Sequence, residues 1–122
     1  MIDNLIAITP SASRSGLLIR EILKEGVARA PERTIVYGDR RRYTYPELSE
    51  RVGALAGALT ELGVRRGDTV AVMDWDSNRY LESFFAIPMM GATLHTINVR
   101  LSPEQILYTI NHAKDDVILV NS

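Results

Sequence analysis

Cysteine is absent from this chain of 122 residues. That excludes a disulfide framework, a thiolate metal site and any nucleophilic cysteine chemistry. Histidine occurs twice, too sparsely for a histidine-rich metal cluster. No apolar run approaches the roughly 20 residues that span a bilayer, and the first residues lack the Lys/Arg cluster that opens a signal peptide. Membrane insertion and secretion are therefore not expected, and a cysteine-free chain suits the cytoplasm. Excess charge is missing too: 14 Lys and Arg against 15 Asp and Glu leave a formal net charge of -1. Such a balance gives no global pull toward nucleic acid or an anionic membrane. What is present is 46% hydrophobic content, enough for one core in a single ordinary domain.

Residues 1–16 mix apolar positions with Pro10, Ser11, Ser13 and Ser15 and read as an arm. From Leu17 to Arg29, Leu18, Ile19, Ile22, Leu23 and Val27 recur at helical spacing, and Pro31 ends the pattern. Thr34 to Tyr37 and Arg41 to Thr44 flank Gly38-Asp39-Arg40, which predicts a short antiparallel hairpin. Thr44 with Glu47 forms a capping box at the start of a second helix, and Tyr43 is placed to staple onto Leu48. Leu48, Val52, Leu55, Leu59 and Leu62 give that helix its stripe; Gly53, Ala54, Ala56, Gly57 and Ala58 thin the neighbouring surface so that another element can approach closely, and Gly63 stops it.

Thr69 to Met73 is a short apolar run of the kind buried on both faces of a parallel sheet. A third helix over Arg79 to Met90 follows, apolar along Leu81, Phe84, Phe85, Ile87, Met89 and Met90, with Pro88 expected to kink or end it. A strand over Ala92 to Ile97 leads to a second complete start signal, in which Ser102 caps, Pro103 opens the helix and Gln105 closes the box. Ile106, Leu107, Ile110 and Ala113 form the stripe of this fourth helix, and Val117 to Val120 is another continuous apolar strand. The order strand, helix, strand, helix, strand predicts an α/β fold: a βαβαβ layer with a mostly parallel sheet, plus the hairpin.

Candidate sites are few. A dinucleotide reading needs a glycine-rich turn after the first strand of the unit, and Asp74-Trp75-Asp76 stands there instead. Asp74 and Asp76 at the carboxyl end of a strand can be read as an acid/base or metal pair, but helix capping explains them with no ligand. Asp115-Asp116 reads as a polar turn. His95 in an apolar strand and His112 near a helix end favour structural roles over a metal pair. Arg40-Arg41-Arg42 is too short for a nucleic-acid footprint and reads as a solvated hairpin tip. Phe84-Phe85 and Met89-Met90 could line an acyl pocket, though at helical spacing they favour core.

Tyr43-Thr44-Tyr45-Pro46-Glu47-Leu48, then Gly63 to Val72, then Gly91-Ala92-Thr93-Leu94-His95-Thr96-Ile97-Asn98 together resemble the N-terminal region of acyl-CoA synthetases in the AMP-forming adenylating superfamily. The run from His95 to Asn98, with Arg100 to Ile106 and Ile110 to Ala113, is similar to the medium- and long-chain fatty acyl branch, departing from it at Val99, where many relatives have proline. The resemblance implies that residues 17–122 are the opening α/β subdomain of such an enzyme. It also implies a parent that converts a fatty acid and ATP to an acyl-adenylate and then to a CoA thioester, with Mg²⁺ neutralising phosphate charge. No catalytic, cofactor-binding or metal residue of the family carries over to a position in this sequence, so the isolated chain is expected to be inactive. Two readings stay open: a fragment of a synthetase, or an independent binding or oligomerisation module derived from one. The ending at Asn121-Ser122, directly after an apolar strand, favours the fragment. Homo-oligomerisation is expected as well: the resemblance implies it, since some long-chain members dimerise through their N-terminal domains, and Val117 to Val120 would lie at or near an uncovered edge.

Overall fold

The computed structural model describes residues 9–121, so the first eight residues of the arm lie outside the described part. Thr9 to Leu18 holds only a turn at Pro10 to Ser11 and is exposed up to Leu18. The first helix, α1, spans Ile19–Arg29, two residues later than its apolar pattern starts. Leu18 occupies its N-cap without a side-chain bond, so no capping group extends it toward Leu17. The hairpin strands β1 (Thr34–Tyr37) and β2 (Arg41–Thr44) pair antiparallel in the register Thr34 to Thr44. Gly38 in their turn has φ +54, a left-handed conformation that glycine adopts cheaply.

Helix α2 (Tyr45–Glu61) begins at the complete capping box: the Thr44 hydroxyl accepts from the Glu47 amide, and the Glu47 carboxylate accepts from the Thr44 amide. Its other end is a Schellman turn. The Val64 amide donates to the Leu59 carbonyl and the Gly63 amide to the Thr60 carbonyl, at 3.0 Å each, with Gly63 at φ +94. The hydrophobic contact that accompanies such turns is present, because Leu59 and Val64 share a core cluster. The expected close approach is met at one of the five small residues: Ala56 packs on the core cluster that includes Leu48 and Val52. Gly53, Ala54, Gly57 and Ala58 are exposed, and a Cβ at either glycine would meet nothing within 4 Å among the described residues.

Strand β3 (Thr69–Met73) lies between β4 (Thr93–Thr96) and β5 (Val117–Val120), parallel to both, giving the order β4-β3-β5. As the central strand, β3 buries Val70, Ala71 and Val72. Helix α3 (Asn78–Met89) joins β3 to β4 and packs on α2 and α1. Pro88 falls one residue before its end, where the missing amide costs a single terminal bond. A second Schellman turn closes it, with the Ala92 amide on the Ile87 carbonyl and Gly91 at φ +84. Helix α4 (Pro103–Ala113) starts at the Ser102/Gln105 box and joins β4 to β5. None of its residues is fully buried, and Leu107 and Tyr108 stand exposed. The β5 run is likewise not covered on both sides: Ile118 is 38% exposed and Val120 59%.

Two clusters form the core. Leu59, Val64, Val70, Val72, Tyr80, Ile87 and Ala92 join the sheet to α2 and α3. Leu23, Tyr43, Leu48, Val52 and Ala86 join α1 and the hairpin to the same two helices, and Leu55 touches both groups. No helix among the described residues is long and apolar enough to cross a membrane.

Candidate functional site

The carboxyl ends of parallel strands are where open α/β sheets usually bind ligands. Here the ends of β3 and β5, together with α2 and α3, enclose a cleft of ≈ 400 Å³. Its polar wall is built around Glu82, whose side chain is only 6% exposed. Glu82 Oε1 accepts from Arg51 Nε at 2.6 Å, from the Tyr43 hydroxyl at 3.0 Å and from Asn78 Nδ2 at 3.1 Å, while Oε2 accepts from Arg51 Nη2 at 3.3 Å. The Arg51 guanidinium also lies over the Tyr43 ring, 5.4 Å from its centroid. Burial pushes the Tyr43 hydroxyl above its ordinary pKa, and the bond to the Glu82 carboxylate adds to this.

The loop from β3 to α3 is locked by Asp74. Its Oδ2 accepts from the Ser77 hydroxyl at 2.5 Å, and its Oδ1 from the Ser77 amide at 3.4 Å and from Asn121 Nδ2 at 3.0 Å. Burial works to raise the Asp74 pKa; bonds from the Ser77 hydroxyl, the Asn121 amide and the Ser77 and Trp75 backbone outweigh it and hold the carboxyl below the ordinary aspartate value. Ser77, rather than either aspartate, is the N-cap of α3, accepting from the Arg79 amide. Asp76 is exposed at φ 55 and has no bond to Asp74, so the two carboxylates do not act as a pair. Trp75 beside them is exposed, with the Arg100 guanidinium 5.4 Å from its ring.

His95 Nδ1 meets both carboxylate oxygens of Asp115, at 2.9 and 2.8 Å, tying β4 to the turn before β5. The adjacent Asp116 accepts from the Thr69 amide, and its own amide donates to the Thr69 carbonyl. The polar turn is thus a clamp across the sheet. His112 stacks on Tyr108 at 5.6 Å. Among the described residues no group of three or more His, Asp or Glu could hold a metal ion. Arg40, Arg41 and Arg42 are exposed at the hairpin. Phe84 tilts against Tyr80 at 5.0 Å, Phe85 packs on the second core cluster and Met90 on the first, and Met89 is exposed.

The cluster of Glu82, Arg51, Tyr43 and Asn78 is what the sequence reading missed. Its signal was Glu82 itself, a single charge in the otherwise apolar stretch from Leu81 to Gly91. Such a charge on a buried helix must be paired.

Residues 23–122 match the family described as AMP-binding enzyme. The chain is 50% identical over 82 residues to a long-chain-fatty-acid–CoA ligase of Thermus thermophilus, an overlap of 67% of this chain and 15% of that protein. It is 40% identical over 84 residues to a medium-chain-fatty-acid–CoA ligase of Ectopseudomonas oleovorans, covering 69% and 15%. Among solved structures, the anthranilate CoA ligase AuaEII in complex with anthranoyl-AMP superposes with a TM-score of 0.76 at 29% identity, over 82% of this chain and 19% of that one. The chain spans about 15% of the length of these curated relatives.

Proposed function

The chain belongs to the AMP-binding enzyme family, and from that membership we infer that it is the N-terminal part of a fatty acyl-CoA synthetase. In this reading residues 17–122 form an α/β subdomain that scaffolds the enzyme, with residues 1–16 as an arm. The whole protein activates a fatty acid with ATP to an acyl-adenylate and transfers the acyl group to CoA. The observation that carries the reading is the 50% identity over 82 residues to a long-chain-fatty-acid–CoA ligase. Because ATP and CoA are drawn from the cell interior, the reading places the protein in the cytoplasm.

The residues present do not fit ATP or Mg²⁺. The turn after β3 carries Asp74, Trp75 and Asp76 where backbone amides and glycines would have to approach a phosphate, and the Asp74 oxygens are already spent on Ser77 and Asn121. No step of the reaction is therefore assigned to this chain, and no catalytic, cofactor-binding or metal residue in it is proposed. The expected result is no heat of binding with Mg²⁺-ATP in calorimetry and no fatty-acid-dependent pyrophosphate exchange by the 122-residue chain. Micromolar ATP binding, or exchange with any fatty acid, would overturn the scaffold assignment.

Self-association is part of the proposal. The outer edge of β5 has no strand partner among the described residues, and Val117 to Val120 carries no charge or proline to discourage one. Leu17, Leu18 and Ile22 add exposed apolar surface where the arm meets α1. A homodimer or larger species is expected in light scattering across a dilution series; a monomeric mass persisting at high micromolar concentration would remove this part of the reading.

A further inference from the structure

The clamp between β4 and the turn before β5 uses only one of the two ring nitrogens of His95. An ionised carboxylate accepts hydrogen bonds and donates none. Nδ1, at 2.9 and 2.8 Å from the two Asp115 oxygens, therefore carries the ring proton, and Nε2 carries the free lone pair. Among the described residues nothing bonds to Nε2, and it is not a buried atom. The two side chains sit at different depths: His95 is 21% exposed and Asp115 0%. His95 is also the one side-chain partner of the Asp115 carboxylate among the described residues. A carboxylate placed in this way holds an imidazole in one tautomer and one orientation, with a negative charge beside the ring proton. The other histidine differs, since His112 is stacked on Tyr108 and has no carboxylate within 4 Å among the described residues. Neither His95 nor Asp115 lines the cleft at the ends of β3 and β5.

We propose that His95 is a nucleophile, positioned by Asp115, that takes the acyl group of a small activated ester and passes it to water. In the first step the Nε2 lone pair forms a bond to the acyl carbon. The bond from that carbon to the leaving oxygen breaks with its electron pair, and the alkoxide or aryl oxide departs. The positive charge left on the acylated ring is balanced by the Asp115 carboxylate at the Nδ1 proton. Water then adds to the acyl carbon, the carbon–nitrogen pair returns to Nε2, and the carboxylic acid and one proton are released. Asp115 and the adjacent Asp116 repel anionic donors such as phosphoryl groups, so the class is neutral esters. A nucleophile is one part of a full catalytic apparatus. Aryl esters, whose leaving group departs readily, are therefore within reach, and alkyl esters are not. The proposal does not rest on the synthetase reading: it consumes neither ATP nor CoA and uses residues of this chain alone.

Two measurements on the 122-residue chain test this. In the first, diethyl pyrocarbonate is added in alkaline buffer and the ethoxycarbonyl adducts are located by peptide mass spectrometry over time; His95 is expected to react about tenfold faster than His112. In the second, release of p-nitrophenolate from p-nitrophenyl acetate is followed. H95N keeps an N–H donor for Asp115 where Nδ1 stands and removes Nε2, and it should lower the rate about tenfold or more. D115N should lower it about tenfold, while H112N keeps it. The ¹⁵N shifts of the imidazole ring separate positioning from mere stability: His95 should be protonated at Nδ1 in the unsubstituted chain and shared between the two tautomers in D115N. Thermal melts are the folding control, and if a variant does not fold, the adduct ratio in the unsubstituted chain decides alone. Equal labelling of the two histidines, or an unchanged rate in folded H95N, overturns the nucleophile. A D115N chain with the same rate and the same tautomer overturns the role of Asp115.

Discussion

Replacing Arg51 by methionine is expected to lower the unfolding free energy by about 3 kcal/mol, whereas replacing its partner Glu82 by glutamine should cost only about 1–2 kcal/mol. The asymmetry follows from burial. The Glu82 side chain is 6% exposed and that of Arg51 40%, and Arg51 is the one cation within 4 Å of the Glu82 carboxylate among the described residues. Removing Arg51 strands a buried charge on the Tyr43 hydroxyl and the Asn78 amide, which donate to it but do not neutralise it. Removing the charge on Glu82 keeps an acceptor for Tyr43 and Asn78 and frees a guanidinium that already reaches water. The double variant R51M/E82Q should therefore be more stable than R51M alone, with a coupling on the order of 1.5 kcal/mol or more. Urea denaturation at matched slopes measures all four proteins of the cycle. If E82Q proves as costly as R51M, the pair is held by something other than the uncompensated carboxylate.

That network also marks where the sequence stops being legible. Features set within a few residues could be read directly: Thr44 with Glu47 and Ser102 with Gln105 do form capping boxes, Gly63 does end α2, and Gly38 lies in the turn of an antiparallel hairpin with the expected strands. Their bonds close locally, so residue type and spacing suffice. The parallel sheet was legible as well, because alternating strands and helices leave few other arrangements. Glu82, by contrast, lies 31 residues from Arg51 and 39 from Tyr43, and nothing in local spacing sets that pairing. Tyr43 could be read as a staple on Leu48, and the two do share a core cluster, but its hydroxyl has a second role that only the fold discloses. The clamp of His95 on Asp115 joins residues 20 apart through the same kind of contact. Exposure was the least legible property. Leu107 and Val120 are as apolar as the residues beside them, yet they face outward, because burial depends on what lies across from a residue rather than on the residue alone.

The second large effect is expected at Leu59, where Leu59→Ala should cost about 3–4 kcal/mol, in the upper part of the range for a leucine whose site cannot collapse. Leu59 is 1% exposed and packs in the cluster that joins α2 to Val70 and Val72 of the central strand and to Tyr80 and Ile87 of α3. Three elements of regular structure therefore frame the space its side chain would vacate, and β3 is held on both sides by backbone pairing to β4 and β5. Relaxation into the cavity would require one of them to move as a unit. Leu59 also supplies the carbonyl that accepts the Val64 amide and the apolar partner of Val64 in the turn that ends α2, so truncation loosens a helix end together with the core. Leu62, three residues on at the C-cap of the same helix and 70% exposed, is the internal control: Leu62→Ala should shift stability by no more than about 0.5 kcal/mol. Thermal and urea unfolding of both variants compare the two sites directly. Near-equal losses would show that the cluster around Leu59 tolerates a void, and that the contact between α2 and the sheet contributes far less to stability than its burial indicates.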